Sequence, residues 1–256
     1  MRKNNKLSIV ICTKNEAINI RDCILSASFA DEILVLDSGS TDNTVQIARD
    51  AGAKVIETDW IGYGPQQNRA IEQSKEDWIY SLDADERISN ELASEILTVI
   101  NENSFYVFDV PRRSLFVNKF MRYSGWWPDR TRRLFKRNYA KFTTHEIHAN
   151  LSTAFAVGHL KSHMIHYSYR NLDSVLEKMN RYSSGSARDL QEKKKGSLSS
   201  AIAHGAWAFL KTYFVKLGFL DGKHGFILAI VNAESSYYKH LKLYFLHSKK
   251  DLDMHN

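Results

Sequence analysis

Trp78-Ile79-Tyr80-Ser81-Leu82-Asp83-Ala84-Asp85-Glu86 is a short apolar run that stops in three carboxylates within four positions. Trp, Ile, Tyr and Leu at this density predict a strand covered on both faces, as in a parallel sheet. Open α/β sheets bind ligands just beyond the carboxyl ends of their strands, so the acids stand where a ligand would sit. Two aspartates held close together repel each other unless a cation lies between them, and hard divalent ions such as Mg²⁺ or Mn²⁺ prefer oxygen donors. The first expectation is a metal that grips a phosphorylated substrate.

Spacing alone does not decide this, because 16 aspartates in 256 residues produce about one Asp-x-Asp by chance. Asp251-Leu252-Asp253 has the same spacing in a polar tail with no strand before it, and receives no function. The plain alternative for Asp83 and Asp85 is a strand-ending turn with solvated acids; their context must decide.

Upstream, Leu7 to Cys12 reads as a buried strand ending at Thr13-Lys14-Asn15-Glu16, followed by a helical stripe of Ile18, Ile20, Cys23, Ile24 and Ala27. Glu32 to Leu36 repeats the pattern and ends in Asp37-Ser38-Gly39-Ser40-Thr41-Asp42, turn and cap residues that lead into a second helix. Lys54 to Thr58 is a third strand, followed by a Gly62-Tyr63-Gly64-Pro65 loop and a helix from about Gln66. Strands alternating with helices at this interval predict a mainly parallel α/β sheet with helices on both faces. Ser89 caps a further helix, and Phe105 to Val110 is another strand.

Charge divides the chain sharply. Residues 1–110 hold 10 basic and 19 acidic side chains, residues 111–170 hold 12 and 2, and residues 171–256 hold 13 and 8, within a net charge of +6. An acidic half followed by a basic one suits an anionic ligand better than nucleic acid, for which no helix-turn-helix or RNA-binding aromatic box is present. Cys12 and Cys23 form no C-x-x-C pair and are expected to be reduced core thiols of a cytoplasmic protein.

Residues 111–170 predict short strands at Ser114–Val117, Arg132–Phe135 and Ile147–Leu151, in mixed or antiparallel pairing. From Asn171 the chain reads as helical, with a break at Lys193-Lys194-Lys195-Gly196. No uncharged run approaches the ~18 residues of a membrane span. Trp207, Phe209, Tyr213, Phe214, Phe219 and Phe226 among basic residues permit a helix lying peripherally on the cytoplasmic face of an inner membrane, or a helical cap packed within the protein.

With three polar strand ends predicted at one sheet edge, the chain resembles the inverting glycosyltransferases of family 2. The resemblance rests on Ser8 to Glu16, Ile33 to Thr44, Gln67-Asn68-Arg69 and Ser81 to Glu86, in that order and spacing. It implies a GT-A fold: residues 1–110 as the nucleotide-sugar-binding half, 111–170 as the acceptor-side half, and 171–256 as a helical C-terminal region. It also implies a nucleotide-sugar donor, with Thr13, Glu16 and Asp37 near base and ribose, Asp83 near ribose and diphosphate, and Asp85 on a divalent metal, Mg²⁺ or Mn²⁺. A departing nucleoside diphosphate develops negative charge that such a cation stabilises. Arg69 and one of Arg132 or Arg133 are candidates for bidentate contacts to phosphate.

Inverting transfer also needs a base for the acceptor hydroxyl. Asp129 and Glu146 are the two acids of residues 111–170. Glu146 lies where the family places its base, while Asp129, between Pro128 and Arg130, suits a turn or an ion pair. The resemblance further implies that His166 stands near the metal or diphosphate. The layout of the second half is similar to that of bacterial glucosyltransferases that extend the heptose of the lipopolysaccharide inner core, which implies UDP-glucose as donor and a lipopolysaccharide acceptor. Other readings remain: a family 2 transferase with another donor and a different glycan or lipid-linked acceptor, or a non-catalytic nucleotide-sugar scaffold. A pyrophosphorylase would need a Gly-rich loop after the first strand, and Thr13-Lys14-Asn15-Glu16 has no glycine.

Overall fold

A computed structural model describes residues 5–102, 104–143 and 150–254. The chain forms two compact units: Met1–Arg113 with Asp129–Tyr167, and Ser114–Pro128 with Ser168–Asn256.

The first unit begins with β1 (Leu7–Thr13), α1 (Ile20–Ser26), β2 (Glu32–Asp37), α2 (Thr44–Asp50), β3 (Lys54–Glu57), α3 (Tyr63–Gln73) and β4 (Trp78–Asp83). The strands pair in parallel in the order β3-β2-β1-β4. Alternation along β1 explains its unbroken apolar run. Leu7, Ile9 and Ile11 join one core, and Val10 joins another with Ala70 and Ile71 of α3. Both faces are covered, so both sets of side chains must be apolar. Helix α3 starts at Tyr63, ahead of the expected start near Gln66, because a first-turn proline needs no amide hydrogen bond.

After a tight turn come β5 (Glu86–Ile88) and α4 (Asn90–Glu102), whose Leu92, Ile96 and Ile100 pack into the same core as Leu7 and Ile9. Ser89 Oγ accepts the amide of Leu92, the capping bond its position predicts. Then follow β6 (Val107–Phe116), β7 (Lys119–Phe120), β8 (Asp129–Lys136), β9 (Lys141–Phe142), β10 (Leu151–Ser152), β11 (Val157–His159) and β12 (Met164–Tyr169). Two separate strands were expected around Pro111; instead β6 runs through it, with Pro111 opposite Arg130. β8 is antiparallel to both β4 and β6, so the sheet is parallel in its first half and mixed in its second.

The second unit is mainly helical: α5 (Leu172–Leu190), α6 (Leu198–Leu210) and α7 (Lys223–Met254). Asn171 and Ser174 form a reciprocal capping box at the start of α5. Between α6 and α7 lie a π-helical turn, Lys211–Val215, and a 3-10 turn, Gly218–Asp221. Phe116, Met121, Val175 and Leu228 form this unit's core. Among the described residues no helix is long and apolar enough to cross a membrane.

Candidate active site

The β1 and β2 tips are tied into one edge by their own polar side chains. Thr13 pairs with Asp37 and Cys12 with Asp83 in register. The Asp37 carboxylate is 1 % exposed and closes its own turn, accepting the amides of Gly39 (3.0 Å) and Ser40 (2.8 Å) and the Ser40 hydroxyl. Asp42 accepts the Thr44 hydroxyl at 2.5 Å, which holds its carboxyl below the usual range, and the Ala17 amide at 3.2 Å. Glu16 accepts from the Asn19 side chain at 2.6 Å and so shapes the turn into α1. Thr13 Oγ1 is buried and has no hydrogen-bond partner among the described residues.

The three acids after β4 take three different positions. Glu86 is fully buried and reaches back to accept the amide of Asp83 at 3.1 Å. Burial pushes its carboxyl up, against the opposing pull of Arg133. Asp83 faces a cavity of about 680 Å³. Asp85 Oδ2 lies 3.4 Å from His166 Nε2, a pair formed because β12 runs antiparallel to β5 with His166 opposite Glu86.

The cavity is lined by Tyr63, Gln67, Asp83, Arg112, Arg130, Thr131, Arg132, Arg133, Phe142, Asn150 and Leu151. Among the described residues its wall carries four arginines and one carboxylate, and three of the arginines are held in ion pairs. Strict alternation along β8 would separate neighbouring residues onto opposite faces. Phe108 pairs with Leu134 but Asp109 with Arg132, so Arg133 is the extra residue of a bulge. The bulge brings consecutive arginines to one cavity, a re-aiming that such irregularities permit.

The two arginines are not equivalent. Arg133 is 6 % exposed and donates to Asp83 and, at 2.7 Å, to Glu86. Burial disfavours its charge, yet the two carboxylates outweigh that and hold it charged. Arg132 donates to the Leu151 carbonyl at 2.9 Å, and among the described residues no carboxylate lies within ion-pair distance of it. Among the described residues, Arg132 is thus the cavity arginine without a carboxylate partner. Arg112 pairs with Asp129 at 2.5 Å, the ion pair expected of that aspartate, and Arg130 pairs with Asp109.

Residues 8–161 match the family described as glycosyl transferase family 2. The chain belongs to that family. It is similar to an uncharacterized glycosyltransferase of Rickettsia bellii, 32 % identical over 93 % of this chain and 86 % of the relative. The lipopolysaccharide core biosynthesis glycosyltransferase LpsC of Rhizobium meliloti is 28 % identical over 95 % of this chain and 94 % of the relative. Among solved structures, a mannosyl-3-phosphoglycerate synthase from Rubrobacter xylanophilus aligns at a TM-score of 0.38 and 26 % identity, over 43 % of this chain and 41 % of the other. The protein is thus a glycosyltransferase with a mixed α/β GT-A-like fold and a C-terminal helical region.

Within this transferase, Asp83, Arg132 and Arg133 come together on the cavity, and Asp85 meets His166. Thr13, Glu16 and Asp37 cluster at the neighbouring strand tips. Arg69 is placed elsewhere: it donates to Thr58 Oγ1 at 2.6 Å and ion-pairs with exposed Asp59 at 2.7 Å, and it does not line the cavity. Glu146 lies outside the described residues. Sequence reasoning gave no role to Arg112, Arg130 or Gln67; the i, i+2 spacing of Arg130 and Arg132 in a strand was the available signal. It assigned Asp83 to ribose and diphosphate and Asp85 to the metal but gave no role to Glu86, because which acid turns inward depends on the β12 and β8 partners far along the chain.

Proposed function

We propose that the protein is an inverting hexosyltransferase that moves glucose from UDP-glucose to a heptose hydroxyl of the lipopolysaccharide inner core, assisted by a divalent cation. The observation that carries this reading is the arginine-walled cavity beside Asp83 at the carboxyl ends of the parallel strands. A nucleoside diphosphate matches it: the phosphates meet Arg132, which has no carboxylate partner among the described residues, and the ribose hydroxyls meet Asp83. The Thr13 hydroxyl, without a hydrogen-bond partner among the described residues, suits a polar ligand atom at the base end. The similarity to LpsC over nearly the whole chain supports a lipopolysaccharide core acceptor.

Asp85 and His166 offer one carboxylate oxygen and one imidazole nitrogen, a donor set suited to Mn²⁺ or Mg²⁺ with the remaining positions left to substrate oxygens and water. Among the described residues no group of three or more His, Cys, Asp or Glu side chains is placed to hold an ion alone. Bound there, the cation would offset the charge of the departing diphosphate.

Glu146 is the proposed base. The residues on either side of its segment, Phe142 and Asn150, line the cavity, and Thr143 and Asn150 are joined by a 3.0 Å backbone bond. The acceptor oxygen attacks the anomeric carbon and its proton passes to Glu146. The bond from that carbon to the diphosphate oxygen breaks with its electron pair on oxygen, inverting the configuration. The test is a thermal-shift panel of nucleotide sugars with and without Mn²⁺, followed by transfer to heptose-terminated core oligosaccharide. UDP-glucose should stabilise the protein more than UDP-galactose, UDP-GlcNAc or GDP-mannose, and more with metal. A better response to another donor, or none to metal, would refute the corresponding part of the reading.

A further inference from the structure

Residues 198–230 expose twelve large hydrophobic side chains, where scattered single ones are the ordinary finding. Phe214, Phe219 and Phe226 among them come together where α6, the π-helical turn, the 3-10 turn and α7 meet. Tyr213 stands at the centre, with ring centroids 5.1 Å from Phe214, 6.3 Å from Phe219 and 5.6 Å from Phe226. Around it Trp207, Phe214, Val215 and Leu220 are 56, 54, 66 and 50 % exposed. Leu217 adds a backbone argument. It holds φ at +56°, a region that favours glycine, and still leaves its side chain 44 % exposed.

The charges of this stretch have one sign where they reach solvent. Lys211, Lys216 and Lys223 are exposed, and the sole carboxylate, Asp221, is 2 % exposed, accepting the amides of Arg122 and Tyr123. Lys211 and Lys216, with Lys239, also line a cavity of about 290 Å³ whose wall has no carboxylate.

We infer that this corner of the second unit docks on a membrane surface containing anionic lipid, inserting its aromatic and aliphatic tips at the interface while the lysines meet lipid phosphates. Exposed aromatics interleaved with lysines and free of exposed acids are the composition of an interfacial element. The charge complementarity favours an anionic bilayer over a second copy of this face, which would set lysine against lysine. The inference is independent of the sugar donor and acceptor.

The experiment is cosedimentation of the full chain with phosphatidylcholine vesicles, with and without phosphatidylglycerol, across a salt series. The chain should pellet with the anionic vesicles and be released as salt rises. Phe214→Ser/Val215→Ser/Phe219→Ser should weaken partitioning by roughly tenfold or more while far-UV circular dichroism shows the helices intact, the loss of the ring contacts to Tyr213 lowering the melting temperature only slightly. Lys211→Glu/Lys223→Glu should abolish the preference for anionic over neutral vesicles. Should the triple variant fail to fold, Val215→Ser alone should still lower partitioning measurably. Failure of the wild-type chain to bind anionic vesicles at low salt, or equal binding by the variants, overturns the inference. So does a dimer, seen by sedimentation velocity, that the triple variant dissolves while vesicles bind neither form.

Discussion

The first unit takes charges inward, and the second leaves hydrophobic groups outward. In the first, Glu86 and Arg133 are buried and bonded to each other, with Asp83 at the cavity edge. In the second, Phe214 and Val215 stand more than half exposed in a stretch whose carboxylate is hidden. Each departs from the usual distribution of polar and apolar groups, and such departures concentrate where a protein meets a ligand or surface. The difference concerns what is met: a buried ion pair fixes a polar pocket in position, whereas an open aromatic corner is suited to an apolar phase.

The largest expected effect falls on chemistry in the first unit alone. Glu146→Gln should lower transfer by about 10²–10⁴-fold, the usual weight of a general base, while donor affinity measured by calorimetry is retained. Near-normal turnover would remove Glu146 from the mechanism and return Asp129 to consideration.

Next comes the buried pair. Arg133→Met strands the Glu86 carboxylate and should cost about 3–5 kcal/mol in urea unfolding. Adding Glu86→Gln should recover much of that loss, because the cost lies in the uncompensated charge. If the double variant is no more stable than the single, the network holds the fold in some other way.

The second unit should answer to pH instead. His240 stacks on His204 at 3.9 Å and is pulled down to about 4 by burial, by His204 and by Lys239 and Lys194, from an ordinary value of 6.5. The unfolded chain therefore binds the extra proton first as pH falls, so stability present above 6.5 is lost progressively toward 4. Melting curves at several pH values should show this slope, and His240→Phe should flatten it.

The smallest change is expected at Arg69, whose ion pair with Asp59 is solvated. Arg69→Ala should leave the melting temperature nearly unchanged, as is usual for a solvated ion pair, and leave UDP-glucose affinity unaltered. A large loss of donor affinity would instead show that the arginine turns into the cavity when ligand binds, as the sequence led one to expect.

Much of the fold was legible because each β-α repeat announces itself locally. Ile9, Val10 and Ile11 form a run that only a doubly covered strand accommodates, and Ser89 lies ahead of an apolar stripe as a cap should. The site was legible as far as strand ends could be located, since parallel strands bring Thr13, Asp37 and Asp83 to one edge. Pairings over long separations were hidden. The bulge at Arg133 depends on how β8 registers against β6, and the Asp85–His166 contact on an antiparallel pairing between strands nearly eighty residues apart.

The amino-acid sequence by itself determined the alternating α/β half, the family and the identity of the acids at the strand tips, because periodicity and turn chemistry act over a few neighbouring residues. Tertiary structure decided which acid is buried, which arginine keeps its charge available and which aromatic side chains remain outside. Those outcomes depend on burial and on partners distant in the chain, and neither is encoded within any one stretch.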